Sequence, residues 1–108
     1  MKKKTLNLIR RACRECLTPP PELTVSQWAE KYRILDNSSA FPGRWSNSVT
    51  PYLVGIMDEY CNPYTREIVF CKPTQVGGTE ALLNMLGYTI MQDASPTMIV
   101  YPSDKLAE

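Results

Sequence analysis

The chain has 108 residues, of which 44% are hydrophobic and 21% charged, an ordinary balance that excludes collagen-like and fully disordered readings. No apolar run approaches the ~20 residues needed to span a bilayer, so no membrane association is expected. The length suits one small domain or part of a larger one. Net charge is +1, but it is unevenly spread. Residues 1–17 hold Lys2, Lys3, Lys4, Arg10, Arg11 and Arg14 against Glu15, a net +5, and the remainder carries −4. A basic arm on a mildly acidic body suits an acidic partner or nucleic acid, or is simply a solvated tail. There is no histidine, which removes imidazole bases and the usual histidine-containing metal sites.

The first element is a basic helix over residues 5–17. Leu6, Ile9, Cys13 and Cys16 recur at helical steps and form one apolar stripe. This explains Cys13 and Cys16 better than zinc or redox use, because no second C-x-x-C follows; Cys61 and Cys71 fit no common zinc spacing. Arg10 and Arg11 interrupt the apolar stretch 6–9, so a secretory signal is not expected, and reduced cysteines are.

Thr18-Pro19-Pro20-Pro21 ends that helix and favours an extended spacer. Thr24 with Gln27 three residues later predicts a capping box and a short helix to Tyr32. Residues 36–48 read as a loop that carries Phe41, Arg44 and Trp45. Thr50-Pro51 opens the next helix, Thr50 as cap and Pro51 as first helical residue, with Leu53, Ile56, Met57 and Tyr60 at helical spacing. Asn62-Pro63 stops it.

Residues 68–71, Ile-Val-Phe-Cys, then read as a buried strand. Residues 72–78 are turn-like, residues 79–91 form a helix that is apolar nearly all round and so expected to be buried, and residues 98–101 form a second buried strand. The pattern is strand–loop–helix–strand, a right-handed βαβ crossover. The predicted fold class is α/β: N-terminal helices followed by an incomplete P-loop NTPase-like unit of a parallel sheet. Its divisions are the basic helix 1–17, a helical and loop lead-in 18–65 and a truncated core 66–108. Residues 101–104 begin another connection and residues 105–108 the start of a further helix.

The loop Lys72-Pro73-Thr74-Gln75-Val76-Gly77-Gly78-Thr79 departs from G-x-x-x-x-G-K-[ST]. Gly77 and Thr79 fit. The lysine has moved from the end of the loop to its start. A phosphate site needs amides converging at a helix N-terminus, a hydroxyl facing magnesium and a cation. Gly77 and Gly78 permit close backbone approach, Thr79 supplies the hydroxyl, and Lys72 can reach across on its long stem. The same loop also reads as a glycine-rich turn that merely joins strand to helix.

Four further runs stand in this order. They are Pro20-Pro21-Glu22-Leu23-Thr24-Val25-Ser26-Gln27-Trp28-Ala29, Pro42-Gly43-Arg44-Trp45, Thr50-Pro51-Tyr52-Leu53 with Ile56-Met57-Asp58, and residues 72–84. Together they resemble the lambda-type large subunit of phage terminase over residues 18–108. The resemblance implies an ATP-driven motor that packages viral DNA into a capsid, with a nuclease further along the chain. It implies ATP and Mg2+ as cofactors, with Lys72, Thr74, Gln75, Val76, Gly77, Gly78 and Thr79 on the phosphates. Thr79 is then the magnesium-side hydroxyl, and Phe41 lies near the adenine, unless it plugs back onto the core. The implied partners are the small terminase subunit, held by the basic helix, double-stranded DNA, the portal of the procapsid, and further copies in the working motor. The implied location is the host cytoplasm.

Other residues get simpler readings. Trp28 and Trp45 are packing residues, Asp58 and Glu59 a solvated helix face, Arg66 half of a surface ion pair, and Glu80 turned away from the phosphates. An apolar strand ending in Asp-Glu and the nuclease carboxylates are absent, so the polypeptide is expected to show no ATP turnover by itself. The alternative is a non-catalytic binding module or prophage remnant with a structural loop.

Overall fold

The structure is a computed structural model and describes residues 2–103. The helix start expected at residues 105–108 lies outside the described residues. Four helices and one small antiparallel hairpin follow in order: α1 (Lys2–Leu17), α2 (Val25–Tyr32), β1 (Ile34–Leu35), β2 (Gly43–Arg44), α3 (Tyr52–Glu59) and α4 (Gly78–Gln92). In the hairpin Ile34 pairs with Arg44 and Leu35 with Gly43.

α2 begins as its sequence requires. The Thr24 hydroxyl accepts from the Gln27 amide, and Gln27 Oε1 accepts from the Thr24 amide at 3.2 Å. Both Thr24 and Gln27 thereby satisfy groups that a bare helix end leaves open. α3 begins one residue later than predicted. Pro51 occupies the cap, and the buried Thr50 hydroxyl has no partner.

α2, α3 and α4 pack on one another. Val25, Trp28 and Ala29 of α2, Leu53 and Met57 of α3 and Ala81 of α4 form the core, joined by Trp45 from the loop. Both tryptophans are thus packing residues, as predicted. Trp28 lies directly on Gly87, where a Cβ would stand 2.4 Å from the ring, and its indole N–H donates to Met91 Sδ at 3.2 Å. Trp45 donates to Asn47 Oδ1 at 2.8 Å, and the Asn47 amide group donates to the Ser26 carbonyl at 3.2 Å. The loop after β2 is therefore tied to the start of α2. Asp58 is not a solvated residue: its carboxylate accepts from the Ser26 amide at 3.1 Å and fastens α3 to α2. Glu59 stays on the surface, where it accepts from the Asn62 side chain.

Three further expectations are corrected. Residues 68–71 and 98–101 join no sheet, so the parallel unit is not formed among the described residues. Strands of a parallel sheet take their backbone bonds only from neighbouring strands, and neither run has one here. Val69, Met98 and Val100 are consequently well exposed. Next, α4 is buried on one face only. Ala81, Asn84 and Thr89 are covered by α2 and α3, while Leu82 and Ile90 face outward. Finally, Arg66 makes no ion pair among the described residues.

α1 runs from Lys2, within the basic helix expected at residues 1–17, and buries none of its residues. Its stripe of Leu6, Ile9, Cys13 and Cys16 is open to solvent. The molecule extends 63 × 35 × 31 Å, with a radius of gyration of 18.1 Å against about 13 Å for a compact chain of this length. Among the described residues no helix is long and apolar enough to cross a membrane.

Candidate phosphate site

The loop of residues 72–77 delivers the chain from the extended run into α4. It does so through two residues in the left-handed region, Gln75 at φ +61° and Gly77 at φ +79°. At Gln75 this conformation costs on the order of 1 kcal/mol and persists only where the surroundings impose it. Two contacts with α3 do so. The Tyr52 hydroxyl donates to the Val76 carbonyl at 2.7 Å. Gly77 rests on the buried Leu53, whose Cδ1 would lie 3.2 Å from any Cβ at that position. The start of α3 is therefore the platform of the loop.

The loop ends where α4 begins. Among the described residues the amides of Gly78, Thr79 and Glu80 have no hydrogen-bond partner, and the first bond of the helix is from Ala81 N to Gly77 O at 3.0 Å. Unpaired amides at the positive end of a helix dipole attract anions. Lys72 lies against Gly78. Its Cε and Cδ lie 2.3 and 2.5 Å from where a Cβ of residue 78 would be, and its Nζ lies 3.3 Å away. Lys72 forms no ion pair among the described residues, so its charge is uncommitted. Thr79 is exposed, and its hydroxyl has no hydrogen-bond partner among the described residues. Thr74 and Gln75 are exposed on the turn, and Val76 is half-buried.

Phe41 does not plug back onto the core; it is 64% exposed. It lines a cavity of about 460 Å³ together with Gln75, Val76 and Gly77. Thr50, Tyr52, Trp45, Arg44 and Glu80 are also among its walls. This volume is within the range of small-ligand sites, ~300–1,000 Å³. A second cavity, about 490 Å³, lies between the end of α3, residues 65–70 and α4, and Lys72 and Gly78 form its edge. The first is the better candidate for a nucleoside, because it joins an exposed aromatic to the backbone of the loop. Lys72 and Gly78 stand outside that lining.

Two members of the site had no signal of their own in the sequence. Tyr52 stands 24 residues from the carbonyl it holds. Arg33, at the end of α2, donates from Nη2 to Glu80 Oε2 at 2.6 Å, across 47 residues. Glu80, expected to turn away from the phosphates, lines the same cavity as the loop, with its carboxylate paired to Arg33.

A glycine loop opening a helix beneath a free lysine is an arrangement suited to phosphate, as in nucleotide-hydrolysing domains. The chain belongs to the family described as phage terminase large subunit gpA, ATPase domain, which matches residues 39–108. The match includes Phe41, the loop and α4. Among individual relatives, the terminase large subunit of Enterobacteria phage P21 is 36% identical over 90 residues, 82% of this chain and 14% of that protein. The terminase large subunit of Escherichia phage lambda is 31% identical over 103 residues, 94% of this chain and 16% of that protein. The chain thus spans about a seventh of the length of these relatives. No solved structure matches it significantly.

Proposed function

We propose that this chain is the N-terminal part of a phage terminase large subunit, and that its loop binds ATP for the motor that packages viral DNA. The observation that carries this reading is the position of Lys72, unpaired and laid across Gly78 at the open N-terminus of α4. The phosphates would rest on the amides of Gly78, Thr79 and Glu80, in the loop formed by Thr74, Gln75, Val76 and Gly77. Lys72 neutralises their charge. Phe41 offers its exposed face to the adenine, with the base stacked against it.

The residues present suit magnesium that arrives with the nucleotide. The Thr79 hydroxyl is unengaged and stands at the helix start, where it would be a ligand. Bound Mg2+ supplies charge neutralisation between the phosphates. Phosphoryl transfer further requires a carboxylate on the metal and a group that orients water. The Asp58-Glu59 pair closes a helix, and Asp58 is spent on Ser26. The polypeptide is therefore read as binding ATP without turning it over. In the intact protein, packaging and end-cutting by a nuclease domain would follow. Double-stranded DNA, the portal, further copies of the motor and the host cytoplasm are the setting.

Fluorescent ATP titrated with Mg2+ into the wild type and Lys72→Ala tests the site. Loss of affinity in the variant supports it, and equal affinities sink it. A second reading, a binding module with a structural loop, is favoured by one observation: α1 is basic, amphipathic and buries nothing. In the terminase reading this helix holds the small subunit. Capture of that subunit by a chain lacking residues 1–17 would exclude the tether.

A further inference from the structure

Glu80 poses an electrostatic problem for the site. It follows Thr79 directly, in the first turn of α4, and lines the cavity shared by Phe41 and the loop. A carboxylate there complements the helix dipole. It also competes with phosphate for the same positive end and repels it. The structure contains its counter-charge. Arg33 is the capping residue at the end of α2, and its backbone is fixed on both sides: its amide donates to Ala29 O at 2.9 Å, and its carbonyl accepts from Trp45 N at 3.1 Å. From this anchored position Nη2 reaches Glu80 Oε2. The two side chains are 26% and 36% exposed, so water screens the pair only in part. Arg33 Nε is buried with no hydrogen-bond partner among the described residues, and the guanidinium also faces Asp36, whose carboxyl it helps to hold below the ordinary value.

We propose that Arg33 is a positioning residue for nucleotide binding: it neutralises Glu80 and holds it aside, leaving the N-terminus of α4 open to the phosphates. This rests on the reading of the loop as a phosphate site. The role of Arg33 is electrostatic and acts through Glu80, so its effect scales with ligand charge.

The test is a titration of AMP, ADP and ATP into the whole 108-residue chain, with far-ultraviolet circular dichroism to verify folding. Arg33→Ala exposes the phosphates to a bare carboxylate and weakens ATP binding about tenfold, ADP less, and AMP under about twofold. The loss shrinks as salt is raised. Adding Glu80→Gln to Arg33→Ala restores ATP affinity. Glu80→Gln alone leaves a free guanidinium beside the site and binds ATP as tightly as the wild type or more so. A uniform loss across the three ligands without rescue by Glu80→Gln assigns Arg33 a purely structural role and overturns the proposal. So does unchanged ATP binding in Arg33→Ala, or weaker binding in Glu80→Gln, which decides the matter if Arg33→Ala does not fold. Absence of ATP binding by the wild type overturns the phosphate reading and this proposal with it.

Discussion

The stem of Lys72 fills the space in which a side chain at residue 78 would begin. The relocated lysine and the second glycine are thus one device: moving the cation to the start of the loop requires an empty position where its stem crosses. Gly78→Ala tests the link. The colliding atoms, Cδ and Cε, belong to the free end of a flexible side chain, so the lysine swings away and the fold is spared. Stability is expected to stay within about 1 kcal/mol of the wild type, since alanine also favours the helix over glycine. Nucleotide affinity is expected to fall towards that of Lys72→Ala. A thermal melt beside a nucleotide titration separates the two effects.

Gly87→Ala should do the opposite. Its Cβ would meet the Trp28 ring at 2.4 Å, and that ring is held in the core and by Met91. A rigid buried indole cannot swing aside, and the α2–α4 contact must open. The expected cost is about 1–3 kcal/mol, the range for overpacking. Urea denaturation of the variant measures it. A change below about 0.5 kcal/mol, typical of surface substitutions, would show that α4 does not depend on this contact.

These glycines show which features were legible in the sequence. The capping box of Thr24 and Gln27 closes within four residues, so its pattern and its geometry coincide. The 72–79 loop was legible for the same reason, since turn, glycines and helix start adjoin. The strand readings at 68–71 and 98–101 failed because apolar runs report burial potential, whereas a strand exists only through neighbours. α4 is apolar on several faces, so its sequence left open which face would be covered. Gly87 decided it by admitting Trp28. Arg33–Glu80 and Tyr52–Val76 join residues far apart in the chain, and no local spacing encodes them.

Tyr88 predicts an alkaline transition. Burial, chiefly, and a hydrogen bond with the Cys61 side chain push its phenol from 10.0 up to about 12. The folded state therefore holds this proton more tightly than the unfolded state does. The stability it contributes is complete below about pH 10 and is lost as pH rises through about 12. Tyr88→Phe is expected to remove this component, giving a shallower decline of the melting temperature over that window. Tyrosinate absorbance of the variant, subtracted from that of the wild type, should leave a single group ionising near the top of the window. A difference curve centred at the ordinary tyrosine value would contradict the assignment.

Phe41 separates ligand contact from packing. Its ring is 64% exposed, so Phe41→Ala removes little buried surface and should change stability by no more than about 0.5 kcal/mol. A buried core phenylalanine would cost about 3–5 kcal/mol on the same change. If the ring stacks on a base, the loss appears in binding instead. ATP affinity is expected to fall by about 0.5–1.5 kcal/mol, a few-fold to tenfold, the worth of an aromatic pair beyond its area. Inorganic triphosphate has no base and should bind Phe41→Ala as it binds the wild type. Lys72→Ala should weaken both ligands, because its charge acts on the phosphates they share. Calorimetric titration of the two ligands into the two variants gives four affinities. Equal losses for ATP and triphosphate in Phe41→Ala would place the base elsewhere and leave the 460 Å³ cavity without a nucleoside.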